Sequence, residues 1–203
     1  LAVTTLRKAV AEYEKWIDLH EEAMQMIVSI ASGKGGTGKT SVAVNMALSI
    51  GNAQLLDCDV EEPNVHLLLH PKISRIEPIY VLIPFVNEEL CDYCGKCGKF
   101  CQYNAIFVSS EKVMVFPELC HSCGGCSLVC PKKAINEDKH KIGTLKSGSA
   151  VGLELVYGEL EVGEPMAVPV IREVKRQIDT SRNVVLDSPP GTSCPVIETV
   201  KGS

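Results

Sequence analysis

Met26-Ile27-Val28-Ser29-Ile30-Ala31-Ser32-Gly33-Lys34-Gly35-Gly36-Thr37-Gly38-Lys39-Thr40 decides how this chain folds. Met26 to Ala31 is a short apolar run of strand type, and Gly33 to Thr40 fits G-x-x-x-x-G-K-[ST], the phosphate-cradling P-loop. Glycines let backbone N–H groups turn inward around phosphate oxygens, and the helix that follows adds a positive partial charge. Ser41 to Ile50, with Val42, Val44, Met46, Ala47 and Ile50 apolar, reads as that helix. In this pattern Lys39 reaches the β and γ phosphates and Thr40 ligates Mg²⁺.

Gly33, Gly35 and Gly38 also satisfy G-x-G-x-x-G, and Asp57 stands where a dinucleotide-binding domain would place its ribose-binding acid. That alternative explains neither Lys39-Thr40 nor Val184-Val185-Leu186-Asp187, an apolar run ending in an aspartate as in Walker B.

Ten cysteines are many for a chain of 203 residues. Cys91, Cys94, Cys97 and Cys101 follow C-x2-C-x2-C-x3-C, and Cys120, Cys123, Cys126 and Cys130 repeat it at an offset of 29 residues, with Ala105-Ile106 recurring as Ala134-Ile135. The segment is an internal duplication. Structural zinc usually pairs two short hooks across a dozen or more residues. Here three thiols arrive within seven residues, a crowding that suits the face of an iron-sulfur cube. Disulfides are opposed by the spacing and by a reducing compartment. So short a segment cannot bury enough apolar surface to order itself, so metal ligation is expected to hold it together.

This spacing resembles the two-cluster bacterial ferredoxins, where the fourth thiolate of each cube comes from the other repeat. That resemblance implies one [4Fe-4S] cluster on Cys91, Cys94, Cys97 and Cys130, and a second on Cys120, Cys123, Cys126 and Cys101. Gln102 stands where that family usually has proline, while Pro131 keeps it in the second repeat.

Lys34 narrows the first signal. Lys34-Gly35-Gly36-Thr37-Gly38-Lys39-Thr40 resembles the deviant Walker A of the MinD/ParA/Mrp class of P-loop ATPases, with Leu55-Leu56-Asp57-Cys58-Asp59 and Asp187-Ser188-Pro189-Pro190-Gly191-Thr192 as supporting matches over residues 26–203. The resemblance implies an α/β fold, a parallel sheet with helices on both faces, interrupted by an inserted ferredoxin-like α+β domain. It implies nucleotide held by Gly33, Lys34, Gly35, Gly36, Thr37, Gly38, Lys39, Thr40 and Ser41. The resemblance further implies Mg²⁺ bound by Thr40 and, through waters, by Asp57 and Asp187, with Asp59 orienting the attacking water. Lys34 would cross a dimer interface to the partner's nucleotide, so an ATP-dependent homodimer is expected.

The expected organisation is a helical extension over 1–25, the first part of an ATPase domain over 26–88, the cluster insert over 89–140 and the second ATPase part over 141–203. Strands are expected at Met26 to Ala31, Ala53 to Asp57, Val151 to Tyr157 and Asn183 to Asp187, and a helix at Ile171 to Ile178. Val3, Leu6, Val10, Tyr13 and Ile17 fall on one face of a possible N-terminal helix. The family's sheet continues past Walker B, so a sheet truncated at the C-terminus is expected. Cys58 and Cys194 read as small buried hydrophobes. His66, His70, His121 and His140 show no ligand spacing and are assigned no chemistry.

Composition, 45% hydrophobic and 22% charged with a formal net charge of −5, excludes a disordered chain and argues against a nucleic-acid partner. No apolar run reaches the ~18 residues that cross a bilayer, and no secretory signal opens the chain, so a cytoplasmic protein is expected. The leading functional reading is an ATPase whose nucleotide state controls electron transfer, or cluster assembly and transfer, to an acceptor protein. The alternatives are a ferredoxin-type electron carrier with a regulatory or structural nucleotide site, and a positioning switch.

Overall fold

The computed structural model describes residues 25–203, so the expected N-terminal helix lies outside the described residues. A six-stranded sheet forms the body, in the order β1 (Ile27–Ile30), β8 (Asn183–Asp187), β2 (Ala53–Asp57), β7 (Leu153–Leu160), β6 (Ile135–Ala150) and β3 (Lys72–Val86). Its parallel half contains β1, β8, β2 and β7. Helices α1 (Lys39–Ile50) and α2 (Val65–Leu69) cover one face and α5 (Ala167–Lys175) the other; α6 (Cys194–Val200) follows β8.

Every residue of β2 is buried, the continuous apolar signature of a strand covered on both faces. Alternation then divides the core. Leu55, Leu155, Tyr157 and Val185 pack with Ala43, Val44 and Ala47 of α1. Leu56, Val156, Val184 and Leu186 pack with Val170, Ile171 and Val174 of α5. This mostly parallel α/β sheet is the fold class the sequence implied, and the expected strands at 53–57 and 183–187 form as read.

Three strands differ from expectation. β3 (Lys72–Val86) and β6 (Ile135–Ala150) form a long antiparallel ribbon at the edge of the sheet, and β6 pairs with β7 as well. The strand expected at 151–157 begins at Leu153, because Val151 and Gly152 form the turn between β6 and β7. Pro78 and Pro84 belong to β3, the edge strand, where a missing N–H costs no ladder bond. β6 carries glycines where another backbone comes close: a Cβ on Gly148 would lie 2.4 Å from the Lys72 carbonyl oxygen, and one on Gly143 2.6 Å from that of Glu159.

The ribbon carries the cysteine module at its far end. Between β3 and β6 lie α3 (Lys96–Phe100), a hairpin of β4 (Ile106–Val108) and β5 (Val113–Val115), and α4 (Gly125–Val129). The expected division at 140/141 therefore falls inside β6, a single strand shared by module and sheet. Among the described residues no helix is long and apolar enough to cross a membrane.

Candidate functional site

The turn after β1 delivers Gly33–Gly38 to the C-terminal edge of the parallel strands, and α1 starts at Lys39. Gly36 and Gly38 have φ of 70° and 84°, left-handed values that favour glycine. A Cβ on Gly33, Gly36 or Gly38 would meet nothing within 4 Å, so the loop opens onto free space. The Ser32 hydroxyl lies 2.9 Å from that of Thr37 and donates to the Lys34 carbonyl at 2.8 Å, pinning the loop from within. No side chain caps α1 and its first turn carries no acid, which leaves its N-terminal amides for an anion.

Asp57 and Asp187 end adjacent parallel strands and are register partners. Both are buried. Asp57 accepts backbone N–H bonds from Asp59 at 3.0 Å, Asn64 at 3.0 Å and Val65 at 3.1 Å. Burial pushes its carboxyl up to about 7, against the pull of the Val65 amide. Burial also raises Asp187, while the Thr40 hydroxyl and Lys39 draw it down. Its Oδ1 is buried with no hydrogen-bond partner. An orphaned carboxylate oxygen beside Thr40 and Lys39 is what a hydrated divalent cation would satisfy, so these residues fit Mg²⁺. Asp59 is half-buried, raised to about 6 by burial and by Asp187, and drawn down by Lys39. Lys34 and Ser41 are exposed at the loop and the first turn of α1.

A cleft of about 280 Å³ opens beside Asp59, walled by Glu61, Glu62, Ala167, Ile171 and Pro190. Cys58 lies at its base, and burial pushes its thiol far above the ordinary range. Cys194 is exposed at the start of α6, so the expectation that it is buried is corrected. A helix that begins at the sheet's edge leaves its first residue at the surface.

The eight repeated cysteines sort into two cavities, and all ten cysteines of the chain are free thiols. Cys91, Cys94, Cys97 and Cys130 line one; Cys101, Cys120, Cys123 and Cys126 line the other. Each cavity thus takes three thiols from one repeat and the fourth from the other. Cys126 packs with Ile106, Val113 and Ile135 as the core of the module, with Cys91, Cys97 and Cys130 against it. Burial pushes the Cys126 thiol up to about 11 and also raises Cys97 and Cys120, so thiolates in these walls call for a cationic partner. Four thiols around a shared hollow fit a [4Fe-4S] group.

Residues 23–93 match the family described as ParA, an iron-transfer P-loop NTPase of the NUBPL type. That stretch is a ParA-type P-loop NTPase domain. Residues 84–107 and 113–136 each match the 4Fe-4S binding domain, so the P-loop and both cysteine repeats are accounted for. An uncharacterised protein of Methanocaldococcus jannaschii is 40% identical over 182 residues, covering 87% of this chain. The chain spans 64% of that relative's length. The iron-sulfur cluster carrier protein of Deinococcus radiodurans is 44% identical over 54 residues, 25% of this chain and 15% of its own. A mitochondrial iron-sulfur protein of Arabidopsis thaliana, required for NADH dehydrogenase, is 40% identical over 58 residues, 26% of this chain and 18% of its own.

Three residues near these sites carried no sequence signal of their own. Glu137 lines the second thiol cavity, and the His140 imidazole pairs with the Glu164 carboxylate at 2.7 Å. The 29-residue repeat could have found Glu137, because it stands where the first repeat has Val108. His140 and Glu164 are joined only by the fold.

Proposed function

We propose that this NTPase hydrolyses ATP and that its nucleotide state controls one-electron delivery from two [4Fe-4S] clusters to an acceptor protein. In this reading Gly33–Gly38 and Ser41 surround the phosphates, Lys39 neutralises charge on the β and γ groups, and Thr40 binds Mg²⁺. Asp57 and Asp187 hold water on that ion, and Asp59 orients the attacking water. Little covalent chemistry is asked of the protein, so positioning and charge do most of the catalysis. Lys34, exposed on the loop, would act on the nucleotide of a second copy, making the ATP-bound state a homodimer. When bound, the clusters supply one-electron carriers.

The observation that carries the reading is the continuity of β6. Its Ile135 lines the first thiol cavity and its Glu137 the second. The same strand runs to Ala150 and pairs with β7, whose Tyr157 is the register partner of Asp57. The Glu161 amide donates to the Ile142 carbonyl at 2.9 Å, and with the His140–Glu164 pair this ties β6 to the segment that leads into α5. Ala167 and Ile171 of α5 then wall the cleft beside Asp59. Thiol cavities and nucleotide loop are two ends of one hydrogen-bonded structure.

Electrons rather than clusters are favoured as the cargo, because the ligating thiols are the module's own core. Releasing a cube would remove what orders the segment. The test uses anaerobically reconstituted protein, with iron, sulfide and acceptor reduction measured before and after mixing with an apo-acceptor, with and without ATP. About eight iron atoms per chain are expected to remain throughout while ATP changes the rate of acceptor reduction. Iron appearing on the acceptor would replace electron delivery by cluster donation.

A further inference from the structure

The duplication provides an internal control, since most wall residues of one thiol cavity have a counterpart in the wall of the other at an offset of 29 residues. Four matched positions differ in charge. Asp92 and Lys96 of the first repeat and Lys132 of the second line the first cavity. Their counterparts are His121, Gly125 and Tyr103. The fourth pair is Val108 in the first cavity and Glu137 in the second.

The first cavity therefore has two lysines and one aspartate in its wall, and Asp92 lies within the field of Lys132. The second has no lysine or arginine and one glutamate. Glu137 is close to the second set of ligands: it lines the cavity with Cys120, Cys123 and Cys126, and its Oε1 would lie 3.2 Å from a Cβ placed on Gly124. The positions that hold Lys132 and Asp92 in the first cavity hold the Tyr103 and His121 rings in the second, stacked at 3.6 Å between centroids. The Phe100 ring fills the space left by the missing side chain at Gly125, 2.2 Å from where a Cβ would stand. One cavity carries two lysines against one aspartate, the other aromatic rings and an acid.

We infer that these walls make the two clusters unequal, so that the first electron entering the module settles on the group held by Cys91, Cys94, Cys97 and Cys130. This rests on the two-cluster reading above. Reduction adds one electron and no bond forms or breaks. Lys96 and Lys132 stabilise the added negative charge, whereas Glu137 opposes it. Lys96, Lys132 and Glu137 thus set the direction of flow inside the module, from the second group to the first.

The test is a potentiometric titration of the reconstituted full chain with dithionite and dye mediators, followed by electron paramagnetic resonance after iron and sulfide have been counted. Two separate one-electron waves are expected. Glu137→Gln should raise the lower wave and leave the upper nearly fixed, whereas Lys132→Gln and Lys96→Gln should lower the upper wave. All three side chains are exposed, so folding is preserved, and Glu137→Asp should restore the lower wave. Fewer than about eight iron atoms per chain overturns the two-cluster reading and this inference with it. Eight iron atoms with coincident waves, or with Glu137→Gln moving the upper wave, leaves that reading standing and overturns the inequality.

Discussion

Replacing Lys39 by alanine is expected to lower ATP hydrolysis at least about 100-fold, the usual cost of removing one charged group aimed at a developing anion. Lys39 is the first residue of α1, and its charge draws down both Asp59 and Asp187. Without it Asp59 and Asp187 lose their nearby cation, and the triphosphate loses its main counter-charge. The side chain belongs to neither apolar layer of the sheet, so the variant should fold and keep its iron. Phosphate release, iron content and acceptor reduction are measured on one preparation. Loss of hydrolysis together with ATP-dependent delivery is expected. Delivery unchanged in the absence of hydrolysis would favour the ferredoxin-type carrier with a structural nucleotide site.

Stripping iron with a chelator under reducing conditions is expected to unfold residues 87–134 and spare the parallel sheet. The module's helices are five residues long and its hairpin strands three, far below what is stable without tertiary support. Its core is four buried residues, one of them Cys126, with three further cysteines packed on it. The sheet has two apolar layers, on α1 and on α5, and needs no metal. Amide exchange should therefore rise toward unfolded rates across α3, β4, β5 and α4 while β2 and β8 stay protected. Uniform loss of protection would mean that the module and sheet unfold as one unit. Unchanged protection would mean that the thiols need no ligand to hold their places.

Local pattern was most legible where motif and element coincide: Gly33–Gly38 forms the turn from β1 into α1, which opens at Lys39, and aspartates close β2 and β8. The crossed sharing of Cys101 and Cys130, expected from resemblance, is how the two cavities are lined. β3 and β6 were not legible. Prolines at 78 and 84 argue against a strand unless it is known to lie at an edge, which only the sheet order reveals. β6 carries little strand signal because Lys, Ser and Gly dominate it, and its larger apolar residues are just Ile135, Ile142 and Leu145, all buried. Its strand character comes from neighbours on both sides. The least legible part of the chain is thus the ribbon on which the proposed communication between thiol cavities and nucleotide loop depends.

Communication is tested most directly by the midpoint potentials of the clusters in wild-type protein, titrated anaerobically with Mg-ATP, with Mg-ADP and with no nucleotide. At least one of the two potentials is expected to differ between the ATP and ADP states, and the difference should vanish in Lys39→Ala. Potentials identical in all three conditions, on protein shown to bind ATP, would contradict the account.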